Sequence, residues 1–167
     1  MSRIFTLLSI CMILSAPLYA DGDLKFKHAA PEGLKTLSSE MQHQKKAPIN
    51  SGHHGMKEYC YHSDVYFVYR KNLLGDGYIL SREKPKDLIC VNTSVKDIRN
   101  SLGMYIGQPK NEINELLNIK SMSDQQIIWW HSKTEIRGIM FDVQTYAEFR
   151  FEDDKLGYLN VFTTITN

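Results

Sequence analysis

Cys60 and Cys90 are the residues best placed to do chemistry in this 167-residue chain, and three chemistries compete for them. A disulfide between them closes a loop of about 31 residues, which in the loop-entropy account stabilises a fold by roughly 3–4 kcal/mol. Two thiolates with His62 would make a metal site, but the C-x-x-C spacing of zinc sites is absent. Cys60 with His62 two residues on would make a thiol–imidazole pair, because residues two apart on a strand share a face. A disulfide removes that nucleophile. Of the three cysteines, Cys11 lies in an apolar N-terminal run expected to be removed as an export signal, and the two that remain in an exported chain pair, so the expectation is a Cys60–Cys90 bridge.

The remaining polar chemistry is thin. His53 and His54 are adjacent and point apart on any regular element; with His43 they make a metal site only if the chain folds around them, so no metal and no cofactor is expected. There is no G-x-S-x-G nucleophile elbow and no glycine-rich phosphate loop, so no catalytic residues are assigned and the chain reads as no enzyme. Asn92-Thr93-Ser94 is a glycan acceptor only in a eukaryotic secretory route.

Aromatic residues offer a different kind of site. Trp129-Trp130-His131 lies in a strand-like run, where alternate side chains face opposite ways, so one Trp leaves the core side unless both faces are covered. Parity adds Tyr146, Tyr158 and Phe162 to the same face. The candidate partner-binding group is therefore Trp129, Trp130, His131, Tyr146, Tyr158 and Phe162, since aromatic anchors dominate protein-binding surfaces.

The elements that must position these residues follow from periodicity. Val65–Arg70 is β-branched and aromatic, a strand; Leu74-Gly-Asp-Gly77 is hairpin turn chemistry; Tyr78–Arg82 returns, and Leu88–Val91 is a short third strand carrying Cys90. A helix follows Gly107, with Pro109 at its first position, Glu112 and Glu115 near its positive end, an apolar stripe of Ile113, Leu116 and Leu117, and Asn118 as a left-handed stop. Strands over 126–131, 145–152 and 156–164 come next, the last two joined at Asp153-Asp154, with Ala147, Phe149 and Phe151 on one face and Tyr146, Glu148 and Arg150 on the other. The fold class this predicts is α+β: an antiparallel sheet with one or two helices packed on one face, stapled by the disulfide.

Residues 1–20 read as a secretory signal peptide. Arg3 is the basic start, Ile4–Leu14 the apolar run, and cleavage falls after Ala20. A bilayer span needs roughly 20 apolar residues, so no membrane span is expected. Leu8-Ser9-Ile10-Cys11 departs from the lipoprotein box at bulky Ile10. The expected location is periplasmic or secreted. Losing Arg3 takes 20 Lys plus Arg to 19 against 19 Asp plus Glu, a net charge of zero, which gives nucleic acid nothing to be captured by. Residues 21–57 are polar and broken by Pro31, Gly33, Pro48 and Gly52, a solvated leader with one short helix near Pro31–His43; residues 58–167 make one domain.

Leu102-Gly-Met-Tyr-Ile-Gly-Gln-Pro-Lys-Asn-Glu-Ile-Asn-Glu-Leu-Leu117 resembles the helical start of the SmpA/OmlA domain of outer-membrane assembly lipoproteins and of the related beta-lactamase-inhibitor-protein fold. Tyr105-Ile106-Gly107 matches the opening, and Phe149-Arg-Phe-Glu-Asp-Asp-Lys-Leu156 resembles the strand–turn–strand ending, so the resemblance covers about residues 102–165. Asn118 stands where the family carries Gly, and the lipoprotein cysteine is absent. The resemblance implies a scaffold that binds other proteins and transfers no catalytic residue. The combined expectation is an exported, soluble, non-enzymatic module that occludes another exported or envelope protein, as an inhibitor or immunity-type protein does. An accessory component of envelope assembly and an unrecognised periplasmic hydrolase are the alternatives.

Overall fold

Nine strands of the computed structural model join in one mixed sheet, and a single short helix is present among the described residues, which are 23–26, 29–36, 49–51 and 55–166. Residues 1–20, expected to be a signal peptide, and His43, His53 and His54 lie outside them. The strands are β1 (Asp23–Phe26), β2 (Asn50–Ser51), β3 (Lys57–His62), β4 (Tyr66–Lys71), β5 (Gly75–Ser81), β6 (Cys90–Asn92), β7 (Gln125–Ile136), β8 (Ile139–Glu152) and β9 (Lys155–Thr166). The helix, α1, spans Lys110–Leu116. Spatial order is β1-β7-β8-β9-β5-β4-β3, and β2 and β6 share the outer edge of β3. Two antiparallel meanders, β3-β4-β5 and β7-β8-β9, are thus joined along one seam, β5 against β9. Among the described residues parallel pairing enters only at β1–β7 and β3–β6.

Turn chemistry sets the hairpins. Arg137 and Gly138 both take positive φ, as do Asp153 and Asp154, the pattern of two-residue turns whose twist matches the strands they join. The first of these lets β7 run five residues past the expected 126–131 stretch and β8 begin six residues before the expected 145–152 stretch. The expected turn at Gly75-Asp76-Gly77 is displaced: those residues already belong to β5, and the chain reverses at Asn72–Leu74. There the Asn72 side chain does the turning, its Oδ1 accepting from the amides of Leu74 (2.9 Å) and Gly75 (2.8 Å). Gly77 has a packing reason instead. A Cβ there would fall 2.2 Å from the Val161 carbonyl and 2.7 Å from the Phe162 ring, so no side chain fits beneath that ring.

One face of the sheet is sealed. Ile128 and Trp130 of β7, Ala147, Phe149 and Phe151 of β8, Leu159 and Val161 of β9, Tyr78 and Leu80 of β5 and Phe67 of β4 make one buried cluster. At the Arg150/Phe151 irregularity Gly157 is the extra residue, which lets Leu156 and Leu159 both face this core although they are three apart. α1 covers the cluster with Ile113. Pro109 caps its start in an extended conformation (φ −60°, ψ 140°) rather than occupying the first helical turn. Asn118 stops it at φ 53°, with Ile119 N–H donating to Asn114 O (2.8 Å) and Asn118 N–H to Glu115 O (3.0 Å), the paired bonds of a Schellman motif. Leu116, expected in the apolar stripe, is exposed: in a helix of seven residues only Ile113 and, one turn on, Leu117 reach the core.

Part of the polar leader is built into this core. Leu34 is fully buried, and its carbonyl accepts from the Tyr78 hydroxyl at 2.6 Å. Asn100, also buried, donates to the same hydroxyl (2.9 Å) and accepts from the Met104 amide (2.9 Å). Gly33 (φ +84°) lies against the backbone of Ser101 and Leu102, too close for any Cβ. Of the helix expected over Pro31–His43, Pro31–Thr36 forms turns and bends, and the rest lies outside the described residues.

Candidate functional site

The second face of the sheet carries the other half of each strand. Cross-strand register aligns Trp129 with Tyr146, Tyr146 with Phe162, Phe162 with Gly77 and Gly77 with Arg70, one row across five strands. The rings step along it: Trp129 to Tyr146 at 5.3 Å, Tyr146 to Phe162 at 6.2 Å, both tilted, the offset geometry that aromatic pairs prefer. The row ends on a cation, since the Arg70 guanidinium carbon sits 5.4 Å from the centre of the Phe162 ring. Gly77 makes that reach feasible. With no side chain on β5 at this level, Phe162 folds over Gly77 and Arg70 stretches across to meet it.

The next rows are polar. Asn160, nearly buried, accepts from Arg70 Nη2 and donates from its Nδ2 to the Tyr146 hydroxyl at 3.3 Å. Glu148 holds Arg150 through Nε (2.7 Å) and Nη2 (2.6 Å), and that guanidinium lies 4.5 Å over the Tyr158 ring. Burial lifts the Tyr158 hydroxyl above its ordinary range and Glu148 adds to this, while Arg150 and Arg70 oppose it. Cys60 and Cys90, directly opposed in the parallel β3–β6 pair, form the disulfide on this same face, with Cα atoms 4.5 Å apart. His62 stacks on Tyr66 at 4.2 Å, and Cys60 Sγ is committed to Cys90.

Of the six aromatic-group candidates, the structure places five on one face and brings three, Trp129, Tyr146 and Phe162, into ring contact. Trp129, Tyr146, Tyr158 and Phe162 share the second face, and His131 follows Trp129 at the exposed end of β7. Trp130 is corrected out of the group. It points into the core and is 6 % exposed, because register fixes which of two adjacent tryptophans matches buried Ile128 in parity. Arg70 and Asn160 were missed by sequence reading. The one available signal was an arginine inside an otherwise aromatic strand, two residues from Val68.

Nothing else on the described surface gathers comparable chemistry. No cluster of three His, Cys, Asp or Glu is placed to hold a metal among the described residues, and none of their helices is long and apolar enough to cross a membrane. A groove of about 620 Å3 at one end of the sheet is lined by Asn72, Leu73, Leu74, Phe141 and Ile165 among others, and contains none of the candidate residues. No protein-family model, curated protein or solved structure matches the chain.

Proposed function

We propose that the chain is an exported, non-enzymatic protein-binding module of the inhibitor or immunity type, which acts by laying the Trp129–Tyr146–Phe162 row against another exported or envelope protein and occluding it. One observation carries this reading. Three large rings on three adjacent strands form a continuous step-like row, on the face that α1 does not cover, with Trp129 and Tyr146 only half-buried. A sheet fixes such rings with little rotamer freedom left to lose, which lowers the entropic cost of docking. Cys60–Cys90 holds the adjacent edge of the same sheet rigid.

Affinity capture from an envelope fraction tests it when run with the wild-type chain beside Trp129→Ala. The expected result is a partner whose binding weakens by about 2 kcal/mol, roughly thirtyfold, in the variant, at a nearly unchanged denaturation midpoint. A partner held equally by both chains removes the row from the interface. The second reading, an accessory component of envelope assembly, draws support from the helix-then-meander order of Lys110–Thr166, which is the order that the SmpA/OmlA resemblance implies. It requires co-purification with a multi-protein envelope complex that survives Trp129→Ala.

A further inference from the structure

The two arginines of the second face are treated oppositely by the fold. Arg150, about half exposed, has a carboxylate, Glu148, at 2.6 Å. Arg70, the less exposed, has no ion pair among the described residues. Its guanidinium carries five donor hydrogens. Nη2 meets the neutral amide oxygen of Asn160, while Nε is enclosed with no acceptor among the described residues. Glu58 stands directly opposite on β3, on the same face, yet the guanidinium leans the other way, across Gly77 and over Phe162. The enclosed Nε is out of a partner's reach, but the residue is only partly buried, and a partly desolvated cation with no ion pair among the described residues is a costly arrangement that a carboxylate at its accessible edge relieves.

We infer that Arg70 is the receptor for an acidic side chain, Asp or Glu, of the partner protein, seated at the end of the aromatic row. This rests on the reading of the second face as a protein-binding surface and assigns its partner a chemistry. Arginine suits a carboxylate because its planar fork matches the two oxygens, and the Phe162 ring beneath holds that fork in place. Asn160 and Tyr146 brace it, Asn160 bonding to both. The rings would supply contact area and Arg70 the charge selectivity.

A pair of blocked peptides reads this directly: acetyl-Tyr-Glu-Tyr-amide and acetyl-Tyr-Gln-Tyr-amide, titrated into the full chain while the Trp129 indole N–H and Arg70 Nε–H signals are followed by NMR. The Glu peptide should bind about tenfold tighter, the effect of a charged hydrogen bond on an otherwise equal ligand. Arg70→Gln should erase that preference, and its melting temperature should stay level or rise, since it removes an unpaired cation. Asn160→Asp offers a second variant that keeps Arg70 and fills it from within; it too should lose the preference. Trp129→Ala should weaken both peptides alike.

Equal affinities for the two peptides, or no binding of either, overturn the assignment, as does a preference that persists in Arg70→Gln. If Trp129→Ala abolishes capture of an envelope partner while the peptides do not discriminate, the binding face stands and the carboxylate receptor falls. Saturable shifts with sodium acetate alone would make Arg70 a site for free anions, and self-association lost in Arg70→Gln would make its occupant a second copy. Either outcome also overturns the proposal.

Discussion

The two faces of the sheet solve opposite problems with the same strands. On the covered face Tyr78 sits between Leu34 and Asn100, Asn100 also holds Met104, and Lys110 lies over the Phe151 ring between Asp124 and Asp154, while Asn114 Oδ1 of α1 is enclosed with no donor among the described residues. On the second face three rings run in a row from half-buried Trp129 and Tyr146 to buried Phe162, and one guanidinium has no counterion among the described residues. The difference teaches that alternation along a strand separates residues that specify the fold from residues free to vary with a partner. A β-strand can do both at successive positions.

Trp130→Ala should produce the largest effect and is the quickest way to break that separation. Truncating a nearly buried indole costs roughly 3–5 kcal/mol, read from the shift in denaturant midpoint at unchanged slope. Trp129→Ala, one residue earlier, should cost about 1 kcal/mol or less by the same measurement. Equal losses would mean that both rings are core. Smaller, and directed at polar groups, is the pair Tyr78→Phe and Tyr158→Phe. The first leaves the Leu34 carbonyl and Asn100 amide buried without their partner and should cost about 1–3 kcal/mol; the second removes a hydroxyl for which no hydrogen-bond partner is seen among the described residues and should change stability little. A reversal of that order would overturn the assignment of polar satisfaction to the covered face.

The smallest expected effect is a slope with pH. Burial, and after it the Asp76 carboxylate that accepts from its hydroxyl at 3.2 Å, raise Tyr69 to about 12 from an ordinary 10.0. The folded chain therefore holds this proton more tightly than the unfolded chain, so its contribution is complete below pH 10 and is lost as pH rises towards 12. Tyr78, raised by burial, and Tyr158 act with the same sign, so Tyr69→Phe should flatten the alkaline loss of stability without abolishing it. Urea midpoints at about pH 9 and about pH 11.5 measure this. An unchanged slope would show that Tyr69 is as exposed as in the unfolded chain.

Local chemistry made much of this architecture legible in the sequence. Alternation in β8 placed Ala147, Phe149 and Phe151 inward, Asp153-Asp154 marked its turn, Asn118 marked the end of α1, and Cys60 with Cys90 marked the bridge. Wherever local chemistry had two uses, the sequence could not choose between them. Gly75-Asp76-Gly77 has the composition of a turn, yet it is strand because Asn72 turns the chain first and Phe162 needs the space above Gly77. β1 and β2 are short segments of a polar stretch whose pairing with distant β7 and β3 no local pattern announces. Trp129 and Trp130 were interchangeable until register with Tyr146 and Thr145 set their parity. The reach of Arg70 to Phe162 spans a strand between them, a relation that only pairing across β5 reveals.

The seam between the meanders carries a consequence for the order of assembly. Each meander is made of hairpins between neighbours in the chain, and the disulfide, from Cys60 to Cys90, closes before the second meander begins. Residues 75–81 must instead find residues 158–164 across the whole intervening chain. Loop closure over that distance carries an entropic cost, and oxidising the cysteines beforehand does not shorten it. The Arg70–Phe162 contact straddles the seam, as does the Phe162 ring over Gly77. Those contacts therefore form only when the two meanders meet, and a chain trapped before that would hold two local hairpin sets with β5 and β9 as bare edges open to another molecule's strand.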